Sequence, residues 1–363
     1  MVNFKALFTG AIQNDASDIH LMENAPPFFR IRGDLKRVEV PPLTHKDMAA
    51  LLKEIMPDHL RHTLETNRGV DCSYQMDNTA RFRVVVYYQD SHLCATLRSI
   101  PIKVPSLDEL GMPDTLKKVA TYHRGMVLVT GITGSGKSTT LAAMINHLNS
   151  TDARRVITIE DPIEFRYEMK KCVISQREVG SDTPDFTLAL RQAMRADPDV
   201  ILVGEMRDRE TIGIAIKASE TGHLLFSTLH TTGALHTMQR IIGFFDRDEH
   251  QLMREQLSMN LRAVVTQRLL KTAEGRGRIA AQEILIVTST AAKLIIEDRA
   301  SDIAGIIGSR EEGMQTMDQA LADLVRAKKV TLEEATKYCN DFYALKRFIA
   351  GISSSGDRGG ILG

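Results

Sequence analysis

A chain of 363 residues has the mass for about two domains, each with a full hydrophobic core. Lysine plus arginine and aspartate plus glutamate number 46 each, so there is no overall basic field of the kind that holds nucleic acid, and only a local patch is left for that role. Cys72, Cys94, Cys172 and Cys339 lie far apart without a C-x-x-C pair, which argues against structural zinc or a disulfide framework; no apolar run approaches the roughly 18 to 20 residues that cross a bilayer.

The start, Met1-Val-Asn-Phe-Lys-Ala6, lacks a signal-peptide core, so the expected location is the cytoplasm, with any membrane association made through a partner. From Phe4 to about Pro101 the pattern mixes short strands with one or two helices. Ile19-His-Leu21 and Phe28 to Arg32 read as strands, separated by Pro26-Pro27 and ended by Gly33-Asp34. Thr44 with Asp47 has the spacing of a capping box, and Met48, Leu51, Leu52 and Ile55 fall on one helical face before Pro57. Strands follow at Asp71 to Tyr74, Phe82 to Tyr88 and Leu93 to Arg98, giving a small α+β domain over residues 1–100. Pro101-Ile-Lys-Val-Pro105 is stiff and turn-prone, and a linker is placed over residues 101–112.

Beyond the linker, short apolar runs alternate with helix-length segments: Met126 to Thr130, Val156 to Ile159, Val200 to Val203, Leu224 to Thr228 and Ile284 to Val287. A parallel sheet buried on both faces requires this pattern, so residues 113–290 read as an α/β core. Residues 291–352 turn helical, with Met317, Leu321 and Leu324 at helical spacing and Thr331 to Glu334 as another capping box. That stripe reads as core. Residues 353–363, rich in Ser and Gly, are expected to form a disordered tail.

The chemistry centres on Gly131-Ile-Thr-Gly-Ser-Gly-Lys-Ser138, between the run Met126 to Val129 and the helix-like Thr139 to Leu148. A strand entering a glycine-rich loop that opens onto a helix N-terminus presents bare backbone N–H groups to phosphate oxygens. Gly131, Thr133, Gly134, Ser135, Gly136, Lys137, Ser138 and Thr139 are therefore the expected nucleotide-binding residues, with Lys137 on the β- and γ-phosphates and the Ser138 hydroxyl on Mg²⁺. The cofactors implied are ATP and Mg²⁺.

Hydrolysis also needs a held metal, an oriented water and positive charge. Glu160-Asp-Pro-Ile-Glu164 follows a strand end, where carboxylates face the ligand crevice of an open α/β sheet. Glu164 is placed as the water-polarising group, with Glu160 and Asp161 near the metal. Val200 to Val203 followed by Gly204-Glu205 follows the Walker B pattern, except that glycine stands where aspartate is usual, so Glu205 is left as the metal-side carboxylate. His223 and His230 flank the strand Leu224 to Leu229; either can be a hydrogen-bonded structural histidine or a sensor of the γ-phosphate. Arg81, Arg83 and Arg98 lie in the first domain, where they either solubilise a strand or reach a neighbour's phosphate as arginine fingers if subunits form a ring.

Taken together, these motifs resemble the secretion-type ATPases, most closely the type IV pilus retraction ATPases of the PilT/PilU kind. Ala16 to Leu21 and Ala25 to Pro27 resemble that family's N-terminal signature, Gly131 to Thr140 its Walker A, and Ile159 to Phe165 its acidic box. Asp197 to Asp208 resembles its atypical Walker B, and Gly222 to Thr232 its histidine box, with Gln176 to Gly180 and Glu220 to His223 as connecting matches. The resemblance implies a PAS-like first domain, a RecA-like second domain, and a homohexamer with nucleotide at domain and subunit interfaces. It implies Glu164 as the catalytic glutamate and Glu205 as the Walker B acid. It further implies a ring beneath an inner-membrane platform protein, beside a paralogous retraction ATPase in some systems, that powers pilin removal and twitching motility.

Two positions depart from the family pattern. Ala291 to Asp298 carries Glu297 where an arginine is usual, and Asp90 likewise replaces a common arginine. The first departure leaves open an accessory, PilU-like role. An assembly or type II secretion ATPase on the same scaffold is the alternative disfavoured by the missing zinc cysteines, and a RecA-like nucleic-acid translocase the one disfavoured by the charge balance. A binding-only subunit on a more active ring would be expected to have lost catalytic residues.

Overall fold

The computed structural model describes residues 2–31, 33–77, 79–100, 103–275 and 277–352. The tail assigned to 353–363, Arg32 at the end of the second expected strand, and Pro101-Ile102 in the linker lie outside the described residues. Contacts divide the chain into two compact units. The first runs to Val104 and takes in Pro162–Arg166; the second runs from Pro105 and holds the remainder.

The first unit contains α1 (Phe4–Gln13), β1 (Ala16–Met22), β2 (Phe28–Ile31), β3 (Asp34–Arg37), α2 (His45–Ile55), α3 (Arg61–Asn67), β4 (Gly69–Met76), β5 (Ala80–Gln89) and β6 (His92–Ile100). Among the described residues it has three α-helices, against the one or two helices expected. The strands form one antiparallel sheet in the order β3-β2-β1-β6-β5-β4. Phe8, Met48, Leu51, Ile55, Phe82 and Leu97 are almost fully buried against one another, so the helical stripe and the strand alternation meet in one core. Thr44 and Asp47 form the expected capping box, and the Asp47 carboxylate also accepts from the Val2 amide at 3.0 Å. Asp90 and Ser91 turn the β5–β6 hairpin with φ of +48° and +63°. A two-residue hairpin turn of this hand favours Asp, Asn or Gly, which supplies a local reason for an aspartate there.

The second unit begins with α4 (Thr115–Ala120), β7 (Gly125–Thr130), α5 (Lys137–Thr151), β8 (Arg155–Glu160), β9 (Val173–Glu178), α6 (Phe186–Ala193) and β10 (Val200–Val203). It continues through α7 (Arg209–Glu220), β11 (Leu224–Leu229), α8 (Ala234–Ile242), α9 (His250–Asn260), β12 (Leu261–Lys271) and β13 (Arg278–Ile286). Among the described residues the α-helices that follow are α10 (Ser289–Ile296), α11 (Ile303–Gly308), α12 (Met317–Arg326), α13 (Leu332–Thr336) and α14 (Phe342–Ile349). The sheet order is β13-β12-β7-β11-β10-β8-β9, parallel throughout except for β13. Strands β7, β10 and β11 are buried at every residue, as the continuous apolar runs require.

Three strands were not among those expected: β3, which begins at Asp34 where only a turn was read, and β9 and β12 of the second unit. In β12 the run is broken by Thr266-Gln-Arg268, and in β9 only Ile174 and Glu178 are buried, so neither reads as a continuous apolar segment. Met317 and Leu321 are buried with Leu270, Ala281, Val330 and Leu345 in a separate cluster, which makes the C-terminal stripe core.

Candidate functional site

The buried strand β7 ends at Thr130, whose hydroxyl lies 2.8 Å from that of Thr266 on β12. The loop that follows is shaped by its glycines. Gly131 has φ of +145°, and a β-carbon there would lie 2.5 Å from both the Gln267 carbonyl and the Ser135 hydroxyl. Gly136 has φ of +87° as the residue before α5, so the loop enters the helix through a left-handed step. Lys137 is buried and donates to the Gly131 carbonyl at 2.9 Å and the Ile132 carbonyl at 3.1 Å, which lays its ammonium across its own loop. Ser138 is exposed at the first turn of α5, with Thr139 half-buried beside it.

Strands β8 and β10 are adjacent and parallel, with Val203 opposite Ile159. Glu160 and Gly204-Glu205 therefore leave the same edge of the sheet, the edge that carries the loop after β7. Glu160 is half-buried and accepts from the Thr158 hydroxyl at 2.6 Å and the Gln176 amide at 3.3 Å; Asp161 next to it is exposed.

The glycine before Glu205 has a steric reason. Gly204 donates to the Ile159 carbonyl at 2.8 Å, and a β-carbon at Gly204 would sit 3.3 Å from that carbonyl and 3.5 Å from Cα of Glu160. The Gly204 carbonyl also accepts from the Thr228 hydroxyl at 2.6 Å, so the chain is pinned from both neighbouring strands just before it delivers Glu205.

Glu205 pairs with Arg207, and its other carboxylate oxygen lies 3.7 Å from Nε2 of His230. His230 follows the end of β11, in register with the end of β7. Burial, the Lys137 ammonium and the Arg207 guanidinium lower the His230 pKa, and Glu205 opposes them, so the ring is held toward its neutral form.

The structure thus brings together Lys137, Ser138, Glu160, Asp161, Glu205 and His230 at one sheet edge of the second unit. His223 does not join them. It precedes β11, its carbonyl accepts from the Gly125 amide at the start of β7, and Nδ1 faces the Ala218 carbonyl at 2.9 Å. The expected nucleotide role of His223 gains no support from this placement: the length of a six-residue strand, about 20 Å at ~3.3 Å per residue, separates it from the phosphate loop of its own chain.

Four other expected residues belong to the first unit. Arg81 is only 5% exposed and donates to the Ser73 hydroxyl at 3.0 Å, so it is a buried residue of its sheet and not an exposed strand arginine. Arg83 faces Asp71 at 3.7 Å, and Arg98 donates to Asp18 at 2.8 Å. Glu164 is half-buried between the buried Ile163 and Phe165, in the short segment that groups with the first unit.

Arg207 and Gln267 escaped the sequence reading. Arg207 follows Glu205 by two residues, a spacing that was a usable signal; Gln267 sits in a strand with no motif around it.

The donor set suits Mg²⁺. That ion keeps several waters and takes one or two protein oxygens plus phosphate, which matches one exposed hydroxyl at Ser138 and hard carboxylates at Glu160 and Glu205. No group of three or more His, Cys, Asp or Glu side chains able to hold a metal occurs among the described residues.

Comparison with known proteins gives relatives over nearly the whole length. The chain is 47% identical over 330 residues to the type IV pilus retraction ATPase PilT of Pseudomonas aeruginosa, covering 91% of this chain and 96% of the relative. It is 37% identical over 349 residues to the type IV pilus ATPase PilU of the same organism, covering 96% and 91%. The crystal structure of the pilus retraction motor PilT with bound ADP superposes with a TM-score of 0.89 at 42% identity, covering 96% of this chain and all of that one. The family described as Type II/IV secretion system protein matches residues 2–337, and the phosphate loop, the glycine-preceded acid and the histidine all lie inside that span: the chain belongs to this family.

Proposed function

We propose that this chain is a motor ATPase that drives retraction of a type IV pilus-like filament, working as a homohexamer at the cytoplasmic face of the inner membrane. The observation that supports it most is the convergence of Lys137, Glu160, Glu205 and His230 at one edge of the parallel sheet. It occurs in a chain whose length is matched by relatives named for pilus retraction.

In this reading the amides of residues 134 to 138 receive the phosphate oxygens of ATP, and Lys137 exchanges its own loop carbonyls for the β- and γ-phosphates. Mg²⁺, when bound, supplies charge that offsets the negative charge developing on the transferring phosphoryl group, with the Ser138 hydroxyl as protein ligand and Glu160, Asp161 and Glu205 around its waters. Glu164 polarises the attacking water. Glu205 is fixed by Arg207, and His230 sits where it can respond to the γ-phosphate. Arg83 and Arg98 are assigned to a neighbouring subunit's phosphate, with Arg81 supporting their sheet. The ring would act on an inner-membrane platform protein, alone or beside a paralogue.

The test is Glu164→Gln at the native locus, with protein level checked. Excess surface pili with lost twitching is the expected phenotype. Bald cells would sink retraction in favour of assembly, and unchanged pili and motility would point to an accessory paralogue. ATP turnover by the isolated protein, unaffected by DNA, is expected; no turnover would favour a binding-only subunit, and stimulation by DNA a translocase.

A further inference from the structure

Five separate geometric facts meet at Gln267, on β12 beside the phosphate loop. Its side chain is 2% exposed. Its Nε2 donates to the Ser135 carbonyl at 2.6 Å, and its Oε1 accepts from the Thr140 hydroxyl, one turn into α5, at 2.7 Å. The loop also presses on it where glycine leaves room: a β-carbon at Gly136 would lie 2.8 Å from Nε2, and one at Gly131 would lie 2.5 Å from the Gln267 carbonyl. One amide group therefore ties the middle of the loop to the helix that follows it, and the first and last glycines close around the same residue.

From this arrangement we infer that Gln267 is a positioning residue for nucleotide: it sets the curvature of residues 131–136 so that their amides converge on phosphate before any ligand arrives. The inference rests on the ATPase reading of the loop. A primary amide suits the place because it is both donor and acceptor without charge. A carboxylate would set oxygen against the Ser135 carbonyl, and an aliphatic side chain would leave that carbonyl and the Thr140 hydroxyl unsatisfied inside the protein. Since the brace acts on the shape of the cradle and touches no reacting atom, its loss weakens ground state and transition state alike. Such a loss raises KM with little change in kcat.

The neighbouring residue gives the brace an anchor. Arg268, on the opposite face of the strand, donates to the Tyr338 carbonyl and, at 2.8 Å, to Oδ1 of Asn340. The strand that shapes the loop is thereby fastened to the segment between α13 and α14.

The experiment compares wild type with Gln267→Leu, Gln267→Glu, Thr140→Val and Thr140→Ser in the full chain, reading the affinity for a fluorescent ADP analogue and the KM and kcat for ATP. Expected is a rise of about 10- to 100-fold in Kd and KM for Gln267→Leu and Gln267→Glu, with kcat at saturation within a few fold of wild type. Thr140→Val is expected to show a smaller rise and Thr140→Ser close to wild-type values, because serine keeps the donor. The double variant Gln267→Leu with Thr140→Val is expected to be no worse than Gln267→Leu alone.

Unchanged Kd in Gln267→Glu and Thr140→Val, both shown folded by circular dichroism, would overturn the inference. So would a fall in kcat with constant KM. If Gln267→Leu does not fold, Gln267→Glu and Thr140→Val carry the decision. Failure of wild type to bind the ADP analogue would instead sink the ATPase reading.

Discussion

Arg207 holds the carboxylate of Glu205 from two residues downstream, on the turn that leaves β10. This fixes the acid at the sheet edge and adds a cation beside His230, which already feels Lys137. Replacing Arg207 with alanine is expected to lower kcat for ATP on the order of 10- to 100-fold, the usual cost of losing a partner that orients a metal-side group. Arg207 is one of the charges that lower the His230 pKa, so the same change is expected to move its titration upward by NMR. A downward movement would reject the pairing as drawn.

Glu205→Gln keeps the shape of the side chain and removes its charge. Steady-state assay is expected to show kcat reduced by about 10²- to 10⁴-fold with nucleotide binding largely retained. Equal loss of ADP affinity would mean that Glu205 acts on binding and not on turnover.

Gly204→Asp would restore the residue that most Walker B strands carry. Here it is expected to harm the protein, because the new β-carbon presses on the Ile159 carbonyl at 3.3 Å in a sheet that cannot spread locally. A loss of about 1–3 kcal/mol in stability is expected, read as a lower midpoint in thermal unfolding. An unchanged midpoint would show that β8 and β10 part more easily than their buried faces suggest.

Asp47 accepts from Thr44 and from the Val2 amide, and these bonds lower its pKa from 3.8 to about 2. A carboxylate whose folded value is depressed adds stability above its unfolded pKa and loses that contribution as pH falls through the folded value. The first unit is therefore expected to lose this contribution between about pH 4 and pH 2. Asp47→Asn should remove that part of the acid dependence while costing about 1 kcal/mol at neutral pH as a broken capping box. Parallel pH–stability curves for the two proteins would contradict the assignment.

The residues legible in the sequence were those whose chemistry is local. The phosphate loop, Glu160 and Glu205 could be placed at strand ends because an apolar run followed by Gly or acid encodes both the element and its terminus. His223 and His230 border the same strand, and the parallel register of β11 with β7 distinguishes the end that meets the loop, where His230 follows, from the end that does not. Gln267 was invisible for a related reason. A single buried amide between Thr266 and Arg268 interrupts the apolar pattern of β12, and its partners Ser135 and Thr140 are more than a hundred residues away in sequence.

One rung on the far side of β13 is taken by the chain itself. Ile284 exchanges two backbone hydrogen bonds with Gln315, at 2.9 and 3.2 Å, just before α12 begins. An uncapped strand is a template on which another chain can add itself without regard to sequence. With that rung taken by its own polypeptide, any second copy of this chain that approaches there meets side chains, which sequence can tune, in place of an open backbone rung.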